Sequence, residues 1–144
     1  MLNMKYKFFK NFAISLFFVF VLNSLASFFY WYSSIKQFDM LMHFLGGFTA
    51  ALFSFWFLYG KFVLWIEEGK KWRVFRVIVL MVLVIALLWE AMEFSVQGFF
   101  GVTVLADIPD SISDVLIGLL GSIVGAQYIF GKYKRERAKE PFKI

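Results

Sequence analysis

The sequence contains no cysteine, and this absence excludes disulfide bonds, thiolate metal sites and cofactors that are held by sulfur. It does not assign a compartment, because many proteins on both sides of a membrane lack cysteine. Histidine occurs only once, at His43, and only 17% of the residues are charged. Apolar residues make up 61% of the 144 positions, and the mean hydropathy is +0.74. These values exclude a soluble fold of this size and predict one integral membrane domain over residues 1–144.

Four apolar segments are each long enough to cross the hydrocarbon as a helix, which takes about 20 residues. The fold class that we predict is therefore all-α, a four-helix transmembrane bundle with spans at about 12–32, 39–59, 74–97 and 110–130 and a basic tail at 131–144. The first segment has an alternative interpretation as a cleaved signal peptide, because lysines precede it and Ser24-Leu25-Ala26 resembles a cleavage site. Its full spanning length and its aromatic end at Tyr32 favour a retained helix.

Lysine and arginine are distributed unevenly around these spans. All of them except Lys36 fall in the N-terminal tail, the middle loop or the C-terminal tail. Basic residues concentrate on the cytoplasmic side of membrane proteins. Both termini and the middle loop are therefore predicted to be cytoplasmic, and residues 33–38 and 98–109 to face outside.

Acidic residues within the apolar segments, together with the histidine, fall toward the predicted outer ends of the spans. Charged side chains in hydrocarbon are costly and usually belong to a functional site. The members of this predicted outer cluster are Asp39, His43, Glu90, Glu93, Asp110 and Asp114.

Helical spacing places these residues on the same faces as small residues. The second and fourth spans share the pattern Asp-x3-[His/Asp]-x3-Gly, which indicates two helical hairpins in parallel repeat. On the fourth span, Gly121-Ser-Ile-Val-Gly125 is a small-xxx-small packing motif. On the second span, either Gly46 or Gly47 continues the line from His43. These faces are predicted to point into the bundle.

Some of the acidic residues also have a structural interpretation. Asp39 and Asp110 each open a span, where a carboxylate caps free N–H groups, and Pro109 marks a helix start. Asp107 lies in the outer loop, where a solvated charge is common. Neither helix capping nor a solvated loop position explains the other four residues, which are His43, Glu90, Glu93 and Asp114.

The chemistry of the outer cluster has three interpretations. Two carboxylates about 4 Å apart repel by about 4 kcal/mol at an effective dielectric of about 20, and no lysine or arginine lies at this depth. The charge is then compensated by a bound cation, by protons shared in a relay, or by the water of a structural polar seam. Oxygen donors with one imidazole suit Mg, Mn, Zn or Fe, so we predict a divalent cation as the cofactor.

Three short motifs together resemble a known family. They are Phe38-Asp39-x3-His43-Phe44-x2-Gly47, Glu90-x2-Glu93 and Asp107-x2-Asp110-x3-Asp114 with Gly118 following. In this order they resemble the YjdF-like family of uncharacterised inner-membrane proteins and, more loosely, the VanZ-like membrane proteins. The resemblance implies a protein of the plasma membrane of a bacterium or archaeon that is connected with the cell envelope, and it adds Asp107 to the candidate metal ligands.

The leading hypothesis is an envelope-facing protein that uses a divalent cation on a lipid-linked or headgroup substrate. His43, Glu90, Glu93 and Asp114 would be both metal ligands and catalytic residues, with Asp39, Asp107 and Asp110 as further ligands. The rival hypotheses are a proton- or cation-coupled transporter acting as a homo-oligomer, and a non-catalytic envelope assembly or resistance factor. The sequence does not decide whether the protein is an enzyme.

The basic tail gives the remaining prediction about partners. Residues 131–144 are rich in lysine and arginine, which in a soluble protein would suggest nucleic acid. Beside a spanning helix, the same charges fix the topology and meet anionic lipid headgroups. We therefore predict the bilayer, and not nucleic acid, as the partner.

Overall fold

The computed structural model describes residues 2–35, 37–100 and 108–139, with the side chains of 3–35, 37–95 and 110–139. In this part of the chain all the regular secondary structure is helical, as predicted. The helices in chain order are α1 (Leu2–Phe28), α2 (Trp31–Ser34), α3 (Phe38–Phe57), α4 (Tyr59–Glu67), α5 (Lys71–Phe100) and α6 (Ile108–Ala138).

Four of these helices, α1, α3, α5 and α6, are long and apolar enough to cross a membrane. At 1.5 Å rise per residue, the 20 residues of α3 extend about 30 Å, which is the thickness of the hydrocarbon. The predicted number of spans is confirmed.

The helices differ from the predicted spans at several ends, and α6 continues to Ala138 through most of the predicted basic tail. The first helix starts at Leu2 and stops at Phe28, because Tyr30 adopts the left-handed conformation with φ 56° and interrupts it before α2. The middle connection, predicted to be a loop, contains α4. Its buried residues Tyr59, Phe62, Val63 and Ile66 recur at helical spacing, so one apolar face packs against the bundle.

The largest buried side chains lie at the end of the bundle that holds the N-terminus, α4 and the end of α6. Phe8 of α1 packs on Phe55 of α3 with the ring centroids 4.6 Å apart, and Lys7 pairs with Glu136 of α6 at 2.6 Å. We call this the basic end. The start of α1, the middle connection and the end of α6 therefore lie at one end, while the side of the membrane that this end faces remains a prediction.

Helix α3 is central, and its closest neighbour is α6. A Cβ atom at Gly47 would collide with the backbone oxygen of Gly118, and one at Gly121 with the backbone oxygen of Phe44. At Gly125 it would lie 2.8 Å from the Cβ of Ala51. The contacts advance together along both helices, so α3 and α6 run parallel, and glycine is what lets their backbones touch.

The close crossing joins equivalent positions of the predicted repeat. Gly47 and Gly118 are the glycines of the shared Asp-x3-[His/Asp]-x3-Gly pattern, and they contact each other. His43 and Asp114 each lie one helical turn before these glycines. The turns that carry them therefore face each other next to the contact, on the side away from the basic end.

Candidate functional site

Three helices bring their polar residues together at the end opposite the basic end. Helix α3 supplies Asp39 and His43 at positions i and i+4, α5 supplies Glu90 and Glu93, and α6 supplies Asp114. Because residues three or four apart share a helix face, each helix presents its polar groups in one direction. We call these five residues the His43 cluster.

The imidazole of His43 lies between carboxylates on both of its edges. Its Nε2 atom is 3.6 Å from Oδ1 of Asp39 and 3.7 Å from Oδ2 of Asp114, while Nδ1 is 4.0 Å from Oε1 of Glu90. These separations are longer than those of direct N–H···O hydrogen bonds. Both nitrogens thus face acceptors across gaps of similar size.

The cluster is enclosed on most sides and open on one. The side chains of Asp114, His43 and Glu90 are only 7%, 14% and 15% exposed, whereas that of Asp39 is 47% exposed. Access from water or from lipid headgroups is therefore past Asp39.

The ligand atoms form two overlapping groups, each with its atoms within 4.8 Å of one another. One group is Asp39, His43 and Asp114, and the other is His43, Glu90 and Glu93. His43 belongs to both. The structure therefore brings the four principal predicted residues together around the imidazole, with Asp39 as a fifth, while their roles in catalysis and metal binding remain predictions.

The remaining predicted ligands belong to neither group of ligand atoms or lie outside the described chain. Asp110 is exposed in the first turn of α6 and belongs to neither group. Asp107 lies outside the described residues and stays a prediction. For Asp39, the structure gives no side-chain cap at the start of α3, because the N-cap residue is Gln37.

Among the described residues, no lysine or arginine forms an ion pair with the His43 cluster, and Lys36 lies outside them. Within the described ranges, the ion pairs made by lysine and arginine all lie at the basic end, such as Lys7 with Glu136 and Arg137 with Glu67. The negative charge of four neighbouring carboxyl groups must therefore be offset by His43, by protons, by water or by a bound cation.

Sequence reasoning missed Tyr32 as a neighbour of the cluster and counted it only as an interfacial aromatic residue. In α2, its hydroxyl donates a hydrogen bond to Oδ1 of Asn23 at 2.6 Å. Burial, and then the nearby carboxylates of Asp39 and Glu93, raise the pKa of Tyr32 above its ordinary value. The phenol therefore remains neutral beside the cluster. Its position seven residues before Asp39, across a short connection, was the available signal.

Four spanning helices with a carboxylate and histidine cluster between three of them define a polytopic helical membrane protein. Residues 2–135 match the family described as Predicted membrane protein (DUF2238), and the chain belongs to this family. The predicted membership of an uncharacterised membrane family is thereby confirmed at that level. No curated protein and no solved structure matches the chain.

Proposed function

We propose that the protein binds a divalent cation in the His43 cluster and uses it to act on a lipid-linked or headgroup substrate at the outer surface of the membrane. The observation that carries this proposal is the position of His43 among carboxylates from three helices, with no lysine or arginine beside them in the described chain. A divalent cation supplies the missing positive charge and uses these donor types.

The spacing of the donors suits a shared ion. Two ligand atoms that are each about 2.1 Å from a metal, at angles of about 90–120°, are about 3.0–3.6 Å apart. The Nε2 atom of His43 is 3.6 Å from Asp39 and 3.7 Å from Asp114, which lies at the upper end of this range. Three protein ligands leave coordination positions open for water or substrate, as catalytic sites require.

Glu90 has a separate role in this proposal. Histidine ligands commonly donate the hydrogen of their second ring nitrogen to a carboxylate, which fixes the tautomer and the ring orientation. Glu90 lies on the Nδ1 side of His43 at 4.0 Å, so a side-chain shift of about 1 Å or a bridging water would let it accept Nδ1–H and direct the lone pair of Nε2 toward Asp39 and Asp114. Glu93 is then free to act as a general base.

The bound cation would polarise a substrate oxygen or lower the pKa of a bound water. Glu93 would accept the proton that this water or a substrate hydroxyl loses. The opening past Asp39 would admit a headgroup from the membrane surface. Because no described lysine or arginine lies at the cluster, a phosphate on the substrate would have to be held by the cation itself.

The packing below the cluster supports a surface site over a transport path. Leu52, Phe55 and Val82 are buried with at most 2% exposure and fill the space toward the basic end. The buried hydroxyls of Ser54 and Ser122 donate to carbonyls of their own helices. A proton or cation path would have to cross this apolar layer, which disfavours the transporter hypothesis.

The membrane side and the finer family relationships form part of the same proposal. The lysine and arginine distribution supports a cytoplasmic basic end, and the family resemblance supports a bacterial or archaeal plasma membrane, so that the His43 cluster would face the envelope. The motifs around His43, Glu90 and Asp114 support a relationship to the YjdF-like proteins and, more loosely, to the VanZ-like proteins.

Metal analysis of the tag-free, detergent-purified protein tests this function. We expect about one equivalent of a divalent metal in the wild type, and its loss in Asp114→Asn, because the substitution removes a ligand charge from a site that is 7% exposed. Asp110→Asn is the matched control on the same helix, since Asp110 lies outside both groups, and it should retain the metal.

Absence of stoichiometric metal from the wild type after incubation with Mg²⁺, Mn²⁺, Zn²⁺ or Fe²⁺ would reject the proposal. Full retention by Asp114→Asn would also reject it. A wild type without metal whose cluster takes up protons on acid titration at a higher pH than ordinary carboxylates would favour the relay.

A further inference from the structure

A second site lies at the basic end, away from the His43 cluster. Helices α4, α5 and α6 border an open cavity of about 330 Å³. Its apolar side is formed by Ile66, Phe130 and Tyr133, and its polar side carries three basic residues and one acidic residue. A cavity with this division suits a ligand that is itself part apolar and part anionic.

The charges of the cavity are only partly satisfied. Arg137 pairs with Glu67 at 2.9 Å, and Tyr133 donates a hydrogen bond to the same carboxylate at 3.3 Å. Lys71 and Lys134 are exposed and form no ion pair with any residue that the structure describes. Two uncompensated ammonium groups from different helices therefore border one cavity.

The cavity lies at the depth of lipid headgroups. From Asp110 to Phe130, α6 rises about 30 Å, which matches the hydrocarbon thickness. Phe130 is then at the edge of the acyl chains, while Lys134 and Arg137 are in the headgroup layer. Trp65 and Trp72 beside this end are typical of a membrane interface.

We propose that this cavity binds one anionic phospholipid, with its phosphate between Lys71 and Lys134 and the start of its acyl chains against Ile66 and Phe130. Basic pockets between spanning helices hold anionic headgroups in this way. The lipid would join α5 to α6 where they leave the membrane. This site is independent of the proposed metal centre.

Native mass spectrometry of the delipidated full chain, titrated with phosphatidylglycerol or with phosphatidylcholine of the same acyl chains, tests the proposal. We expect phosphatidylglycerol to bind at least about tenfold more tightly. Each lysine near a charged headgroup contributes about fivefold to the affinity. The double substitution Lys71→Gln and Lys134→Gln should therefore remove the preference, because it weakens the binding of the net-anionic phosphatidylglycerol far more than that of the zwitterionic phosphatidylcholine.

Two controls distinguish lipid binding in the cavity from non-specific attraction of anionic lipid to the positive charge of the basic end. Arg76→Gln removes an exposed cation from α5 that does not line the cavity, and it should change the preference by less than about twofold. Lys71→Arg with Lys134→Arg keeps both charges and should keep the preference. Equal binding of the two lipids, a preference that survives the double glutamine variant, or an equal loss in Arg76→Gln would each overturn the proposal.

Discussion

Gly47→Ala is expected to destabilise the helix bundle by about 3 kcal/mol, because the new methyl group overlaps the backbone oxygen of Gly118. A side chain could rotate away, but a backbone carbonyl inside a helix cannot, so α3 and α6 must separate. The measurement is the free energy of unfolding in mixed detergent micelles. The same separation would move His43 away from Asp114, so we also expect weaker metal binding.

Gly46→Ala is the matched control for this prediction. A Cβ atom at Gly46 meets nothing within 4 Å, and alanine favours the helix more than glycine by about 1 kcal/mol. The control should therefore be neutral or slightly stabilising. Equal effects of the two neighbouring substitutions would show that the close crossing of α3 and α6 is not what holds the bundle together.

His43→Ala is expected to weaken Zn²⁺ binding by a hundredfold or more. Loss of an outer partner of a metal ligand commonly weakens binding by about 10–100-fold, and loss of a ligand itself should exceed that. His43 is also the only residue shared by both groups of ligand atoms and the only nitrogen donor among them. The measurement is a competitive titration against a chromophoric zinc chelator.

The control for His43→Ala is Leu41→Ala on the same helix. Leu41 is 46% exposed and is not in the cluster, so this variant should keep the wild-type affinity. Unfolding of both variants should be measured in parallel, because a loss of Zn²⁺ binding carries meaning only where the bundle remains folded. An unchanged affinity in folded His43→Ala would exclude the imidazole as a ligand.

The number of spans and the convergence of the cluster could be predicted from the sequence. Apolar length alone predicts the four spanning helices, because the bilayer sets that length. Glu90, Glu93 and Asp114 stand out because ionisable groups are rare within apolar helices. Both the apolar length and the rarity of ionisable groups follow from the properties of the bilayer, so they can be recognised without knowing how the helices pack.

The sequence does not predict how the helices are rotated against one another, and the details that depend on this rotation could not be predicted. Gly46 and Gly47 both continue the line from His43 at helical spacing, and only the rotation of α3 against α6 selects Gly47. The division of the carboxylates between the two edges of His43 likewise depends on how α5 is rotated. Helix α4 was missed because its charged residues suggested a loop, although the spacing of Phe62, Val63 and Ile66 indicated a helix.

The central claim is that His43 is a ligand of a bound divalent cation, and X-ray absorption spectroscopy of the tag-free protein with one equivalent of Zn²⁺ tests it most directly. Because the chain contains one histidine and no cysteine, any imidazole scattering comes from His43. We predict one nitrogen and two or three oxygen ligands at about 2.0–2.2 Å, with imidazole multiple scattering that disappears in His43→Ala. A spectrum with oxygen ligands only, like that of the hydrated ion, would contradict the account.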